Sequence, residues 1–371
     1  MTQNNQPQEP LYPWAQQTAR VRARTEPLRY HELWRGINKP RWYKPLVVSL
    51  IGVGYYIAIS IVFVILAFVA AFGIAFVTSA ESSINLEDLL MSLSAINTQH
   101  PLSIFIGLTS VALMIPAGWL ALKTMGIKPT GRLWSVALKI RWDLLLAAFA
   151  IAAVVLVIVQ FGSMFIVSAV SGEPVLNERP ADFDTRAMWI SVLLVLVLVP
   201  FQATAEEYVF RGFLLQTFGN WMRNPVVAIL LTSALFGAMH IYDIWGMLSV
   251  TLLGCLAAYL TIRTGGLEAA MALHIVNNYV AFGFMASGYL DSTSQESQTS
   301  GSGPALVLTE IVVLALFWLA VELLWKKKAA DRGWANTRVD VIEVDVPIAE
   351  LTEEQRRQAG LVPVAAPNTG A

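Results

Sequence analysis

Three short segments interrupt an otherwise apolar chain with side chains able to do chemistry. They are Ala205-Glu206-Glu207-Tyr208-Val209-Phe210-Arg211, Phe236-Gly237-Ala238-Met239-His240 and His274-Ile275-Val276-Asn277-Asn278. Glu207 and Arg211 are four apart, so on a helix they share a face and can pair. Glu206 points about 100° away from Glu207 on that helix. One carboxylate is then partly neutralised and its neighbour is free for another task. His274 and Asn278, also four apart, project together and need a shared partner, whether water, ligand or each other. Each segment taken singly also fits a structural role, as an ion-pair network or an interhelical hydrogen bond. Of the four histidines, His31 falls in a basic tail and His100 in an outer loop, which leaves His240 and His274 in these segments.

A carboxylate, two imidazoles and a carboxamide in a sealed polar pocket suit hydrolysis of an amide bond. Glu206 can take a proton from a water that His240 orients. His274 and Asn278 can donate to a developing oxyanion. Ser233 and Ser249 have no evident acid–base partner, and the lone Cys255 sits in an apolar run, where packing accounts for it. A metal is the open alternative: Glu206, His240 and His274 would be its ligands and zinc its identity, although asparagine is a poor zinc ligand and the helical His-Glu-x-x-His signature is absent.

The elements that must position these groups are membrane helices. The chain has 371 residues, 56% hydrophobic and 14% charged, with mean hydropathy +0.58. That is more apolar and less charged than a soluble protein of this size. Net charge is −1 and no basic patch with interleaved aromatics occurs, so no nucleic-acid partner is expected. About 20 apolar residues cross the hydrocarbon layer. Eight candidates run near Leu46–Val77, Leu102–Leu122, Leu144–Val170, Ala187–Gln216, Val226–Ile241, Trp245–Ile262, Leu267–Ala286 and Ala305–Trp325. Pro200 marks a kink in the fourth.

Loop charge alternates along this series. Basic residues from Arg20 to Lys44 precede span one. Glu81, Glu87 and Asp88 follow it, and then come Lys123, Lys128, Arg132, Lys139 and Arg141. The next loop is acid-rich, with Glu173, Glu178, Asp182 and Asp184, although it also holds Arg179 and Arg186. Arg223 and Arg263 lie after spans four and six, Ser287–Pro304 has no basic residue, and Lys326, Lys327, Lys328 and Arg332 follow span eight. The positive-inside rule then places both termini in the cytoplasm. The opening reads as lacking a cleavable signal peptide, with span one directing insertion. The expected fold is an all-α polytopic bundle of about eight transmembrane helices, N-in and C-in. Its expected parts are a cytoplasmic tail (1–44), accessory helices (45–186), a catalytic core (187–286), an outer loop with the last helix (287–325) and a cytoplasmic tail (326–371). At 1.5 Å per residue, Glu206, His240, His274 and Asn278 can meet at one level in the cytoplasmic half of the membrane. Beyond the spans, Leu28–Trp34 reads as an interfacial helix or anchor. Val339–Val346 reads as a short strand, and Thr352 with Gln355 as a capping box.

The motifs Glu206-Glu207-x-x-x-Arg211, Phe236-x-x-x-His240 and His274-x-x-x-Asn278, in this order and spacing, resemble those of the CPBP family. These are the CAAX-protease and bacteriocin-processing intramembrane endopeptidases, including the type II CAAX prenyl endopeptidases. The Phe210-Arg211-Gly212 continuation is similar as well, and the resemblance covers roughly Val192–Ala286. It implies that Glu206 and His240 activate water and that His274 and Asn278 form the oxyanion site. Glu207 and Arg211 would support the pocket and Phe236 would pack beside His240. It leaves open whether the enzyme is of glutamate type or metal-dependent. The implied partners are a peptide or lipidated protein substrate and membrane lipid, with a multi-pass location in the plasma membrane. A peptide-binding scaffold or immunity protein without catalysis is the alternative. A proton-coupled transporter would also use such a cluster, but no repeated halves are visible.

Overall fold

A computed structural model describes residues 17–78, 96–172, 174–222, 224–289 and 303–361. Glu81, Glu87, Asp88, Glu173, Arg223, most of the Ser/Gly-rich stretch before Pro304 and the Pro/Ala-rich end lie outside the described residues. The architecture is an all-α membrane bundle with a small β cap, and the chain is an integral multi-pass membrane protein. Its helices are α1 (Lys44–Thr78), α2 (Pro101–Ala112), α3 (Met114–Thr124), α4 (Trp142–Ser171), α5 (Thr185–Glu207), α6 (Leu215–Trp221), α7 (Pro225–Ala238), α8 (Ile244–Thr264), α9 (Glu268–Ser287), α10 (Pro304–Arg332) and α11 (Glu353–Gln358). Counting α2 with α3, and α5 through α6, as continuous rods, seven are long and apolar enough to cross a membrane. Large apolar side chains on their outer faces, such as Leu50, Leu66, Ile158 and Leu193, stay exposed, as lipid contact requires.

The fifth expected span is shorter than the sequence suggests. Asn224 caps α7 through the Val226 amide, Pro225 opens its first turn, and the helix stops at Ala238 after 14 residues. At 1.5 Å per residue it spans about 21 Å, short of the roughly 30 Å of hydrocarbon. His240 therefore lies in the turn beyond α7, before Asp243 caps α8 through the Gly246 amide. Pro200 is accommodated inside α5 without ending it.

The two tails meet. Strand β1 (Thr18–Arg24) pairs antiparallel with β4 (Val341–Pro347), and β2 (Leu28–Arg29) pairs with β3 (Thr337–Arg338). The expected strand and capping box near the C-terminus are both present, the box opening α11. Leu28–Trp34, however, does not lie along a membrane surface. It forms β2 and a 3-10 helix (Tyr30–Gly36) in which Tyr30, Leu33 and Trp34 are buried. The aromatic rings fill protein space instead of a lipid interface, and the Tyr30 hydroxyl donates to the Leu133 carbonyl. This 3-10 helix packs on α6. The Arg35 guanidinium donates to the Gly219 carbonyl at 2.8 Å, and a Cβ at Gly219 would overlap the His31 backbone.

Helix α9 is the axis of the bundle. It packs against α4, α5 and α8, and its N-terminal half, Glu268 to Val276, is buried throughout. Its first residue, Glu268, receives a two-pronged ion pair from buried Arg141, at 2.8 and 2.7 Å. A second buried pair, Arg132–Asp340 at 2.8 Å, ties the cap to the loop before α4.

Candidate active site

The acidic motif sits where the α5 rod changes its winding. Glu206 and Glu207 are the last residues of α5, and Tyr208–Leu214 continues as a π-helix before α6 resumes. Such wider turns recur at functional sites because they re-aim side chains within a continuous rod. The pairing expected four residues apart still forms. Arg211 Nη1 donates to Glu207 Oε1 at 2.9 Å, and both side chains are fully buried. Arg211 also stacks on Phe236, 4.4 Å from its ring centroid. This depends on Gly254 of α8, where a Cβ would lie 3.0 Å from Arg211 Nη2 and 3.3 Å from the Phe236 ring.

Glu207 holds His274 as well. The His274 Nδ1 lies 2.8 Å from Glu207 Oε1, so the carboxylate fixes a proton on Nδ1. The other ring nitrogen, Nε2, faces Glu206 Oε2 at 3.3 Å. This is a close polar contact that makes no hydrogen bond, and Glu206 Oε2 is buried with no hydrogen-bond partner. Glu206 itself is 14% exposed.

One residue escaped the sequence reading. Gln202, a turn before Glu206, donates through Nε2 to Glu206 Oε1 at 2.7 Å and accepts from Asn278 Nδ2 at 2.9 Å. It thereby joins the carboxylate of α5 to the amide of α9. Its signal was available: a buried amide in an apolar run, four residues before an acid, matches the helical spacing of interacting pairs.

His240 is held separately. Its Nδ1 lies 2.8 Å from the Phe236 carbonyl. A carbonyl only accepts, so Nδ1 carries the proton and a neutral ring keeps its lone pair on Nε2. The Phe236 ring contacts both imidazoles, at 4.8 Å from His240 and 5.6 Å from His274. The structure thus brings Glu206, Glu207, Arg211, His274, Gln202 and Asn278 into one connected network. His240 reaches it through Phe236 and, among the described residues, has no hydrogen bond to either glutamate.

Among the described residues, no three His, Cys, Asp or Glu side chains gather as a metal-binding set. Both nitrogens of His274 face carboxylates, and His240 stands apart from Glu206. The three residues expected to hold zinc do not fit a common ion in this arrangement. Beside the network lies an apolar cavity of about 280 Å³, between α1, α3, the π-helix and α7, with Val53, Gly118, Phe210, Phe213 and Met239 among its walls. Phe210 is shared with the site, its ring centroid 4.9 Å from that of Phe236.

Residues 187–280 match the family model of the type II CAAX prenyl endopeptidase Rce1-like proteins. An uncharacterized protein of Bacillus subtilis (strain 168), YyaK, is 29% identical over 171 residues, which cover 44% of this chain and 55% of that protein. The chain thus spans about half the length of this curated relative. No solved structure matches it. The family match runs from the start of α5 through Asn278 and takes in all three motifs and Gln202, so this buried network lies wholly within the stretch that is similar to the type II CAAX prenyl endopeptidase Rce1-like proteins.

Proposed function

We propose that the chain is an intramembrane endopeptidase in which Glu206 is the general base and acid. The observation that carries this reading is the buried, unbonded Oε2 of Glu206 beside His274 Nε2, in a network that holds Glu206 Oε1 through Gln202 and His274 Nδ1 through Glu207. A water at Oε2 gives its proton to Glu206 as its oxygen attacks the scissile carbonyl carbon, and the motif resemblance assigns His240, whose ring packs on Phe236 beside the network, to orient that water. The carbonyl oxygen becomes an oxyanion that takes hydrogen bonds from the His274 ring and from the second Nδ2 proton of Asn278. Glu206 then passes its proton to the leaving nitrogen as the carbon–nitrogen bond breaks, which releases an acid and an amine. Glu207 and Arg211 hold His274 and Phe236 in place, and no step is routed through a metal.

The substrate class follows from the surroundings. A site inside the bilayer, flanked by an apolar cavity, suits a peptide carrying an apolar or lipidated group near the cut. Alternation of loop charge supports cleavage on the cytoplasmic half of the plasma membrane, with both termini inside.

The test compares peptide ends in membranes carrying the native protein or Glu206→Gln. New termini that depend on Glu206 are expected. In purified protein, Glu206→Gln or His240→Ala lowers turnover at least about 10²-fold without unfolding the chain. Undiminished cleavage by either variant overturns the assignment. Capture of peptides without new termini favours the scaffold alternative.

A further inference from the structure

We propose that the cleft between the start of α4 and the end of α10 binds the phosphate headgroup of an anionic phospholipid. The cleft has a volume of about 730 Å³, and its walls include Lys139, Arg141, Trp142, Asp143, Arg332 and Trp334. Its height in the membrane follows from the elements around it. Trp142 begins one spanning helix and Arg332 ends another, so the cleft lies where hydrocarbon gives way to headgroups. Trp142 is 62% exposed there, the usual depth for a tryptophan anchor.

Charge decides the ligand. Arg141 is spent: it is paired with Glu268 and also donates to the carbonyls of Thr264 and Ala335, both at 2.9 Å. Asp143 is turned to Trp334, its Oδ2 accepting from Nε1 at 3.0 Å, and it keeps a negative charge that the cations of the cleft must outweigh. That leaves Lys139 and Arg332, both exposed and, among the described residues, without an ion pair. Lys326, Lys327 and Lys328 add positive charge one turn earlier on α10, with Lys326 lying 3.7 Å from Glu322. Two free cations at a membrane interface, in a cleft walled by tryptophan, match a phosphate whose acyl chains run down beside α4 and α10. A soluble phosphate would satisfy the cations but leave the tryptophan-lined, lipid-facing side unused.

Titration of the full-length protein in detergent, followed by native mass spectrometry, separates the sources. Phosphatidylglycerol, phosphatidylcholine and inorganic phosphate are the three probes. Phosphatidylglycerol should be retained over phosphatidylcholine, and inorganic phosphate should compete only weakly. The double variant Lys139→Gln/Arg332→Gln should lose about 30-fold in affinity for phosphatidylglycerol, at roughly 1 kcal/mol per cation near an anionic surface. The charge-preserving swap Lys139→Arg/Arg332→Lys should retain binding. Both variants change exposed side chains, and an unchanged melting temperature verifies folding. Equal retention of the two lipids, or native affinity in the charge-neutral variant, overturns the proposal. Tight inorganic phosphate without lipid preference also overturns it, in favour of a free-anion site.

Discussion

The two oxygens of Glu206 are treated differently, and that difference gives the site a direction. Oε1 is held by Gln202, whereas Oε2 is left to act. Gln202 is therefore a positioning residue: it touches the base and, through Asn278, the oxyanion donor. A hydrogen bond to a charged group contributes about 1.5–3 kcal/mol. Gln202→Met, which keeps length and loses both bonds, should lower kcat about 10- to 100-fold. Because neither bond goes to substrate, KM should stay near its native value, while the melting temperature falls by the modest amount that two lost hydrogen bonds cause and the chain stays folded. Steady-state kinetics and a thermal scan on the same preparation check this. A matched loss in KM, or unaltered kcat, removes Gln202 from the positioning role. The helical spacing of Glu207 with Arg211 and of His274 with Asn278 was legible in the sequence because it needs only the α-helical period. The spacing of Gln202 to Glu206 is legible in the same way, but its link to Asn278 is not, because that bond crosses from α5 to α9.

Among the elements, the junction of α5, the π-helix and α8 constrains sequence through a buried charge and a close glycine contact. Arg211 is fully buried, and its charge is balanced by Glu207. Removing one partner of a buried pair costs about 3–5 kcal/mol, since the other charge is left uncompensated. Arg211→Ala should destabilise the protein by that amount in chemical denaturation, and Glu207→Gln/Arg211→Met should recover part of the loss. If the double variant is no more stable than Arg211→Ala, the pair does not carry the effect. Gly254→Val acts from the opposite wall. The added side chain must displace Arg211 or Phe236, for an expected loss of about 1–3 kcal/mol from overpacking and a larger fall in turnover. Activity and stability both at native values would show that α8 can yield. These features explain where periodicity misled. Apolar runs specify that helices exist, but a seven-residue π turn and a helix that ends at Ala238 depend on tertiary packing and on caps at its boundaries. His240 was consequently read as a helical residue when it occupies a turn.

For the whole molecule, the bundle was readable from lipid-length apolar runs, but the joining of its two ends was not. Strand pairing between residues more than 300 apart leaves no local pattern: alternation over Val339–Val346 marks a strand, but nothing in it names β1 as the partner. Arg132–Asp340 and the buried 3-10 helix then seat this cap against α6, the continuation of the rod that bears Glu206. His31 makes that seating sensitive to acid. Burial, opposed by Glu32 and assisted by Arg35 and Arg29, pushes its imidazole down to about 4 from an ordinary value of 6.5. Above pH 6.5 the ring is neutral whether the cap is docked or loose, and the docked state keeps its full stability. Between pH 6.5 and 4 the loose state binds a proton that the docked state refuses, so docking weakens as pH falls, by up to roughly 3 kcal/mol at the low end. Hydrogen exchange of the Tyr30–Gly36 amides, corrected for intrinsic rates, should therefore show protection at pH 7.5 that declines by pH 5. His31→Gln should flatten that decline, because no proton is then taken up on opening. Protection in the native chain that does not change across this range would show that His31 stays neutral or solvated in both states, and the cap would then be a passive clasp.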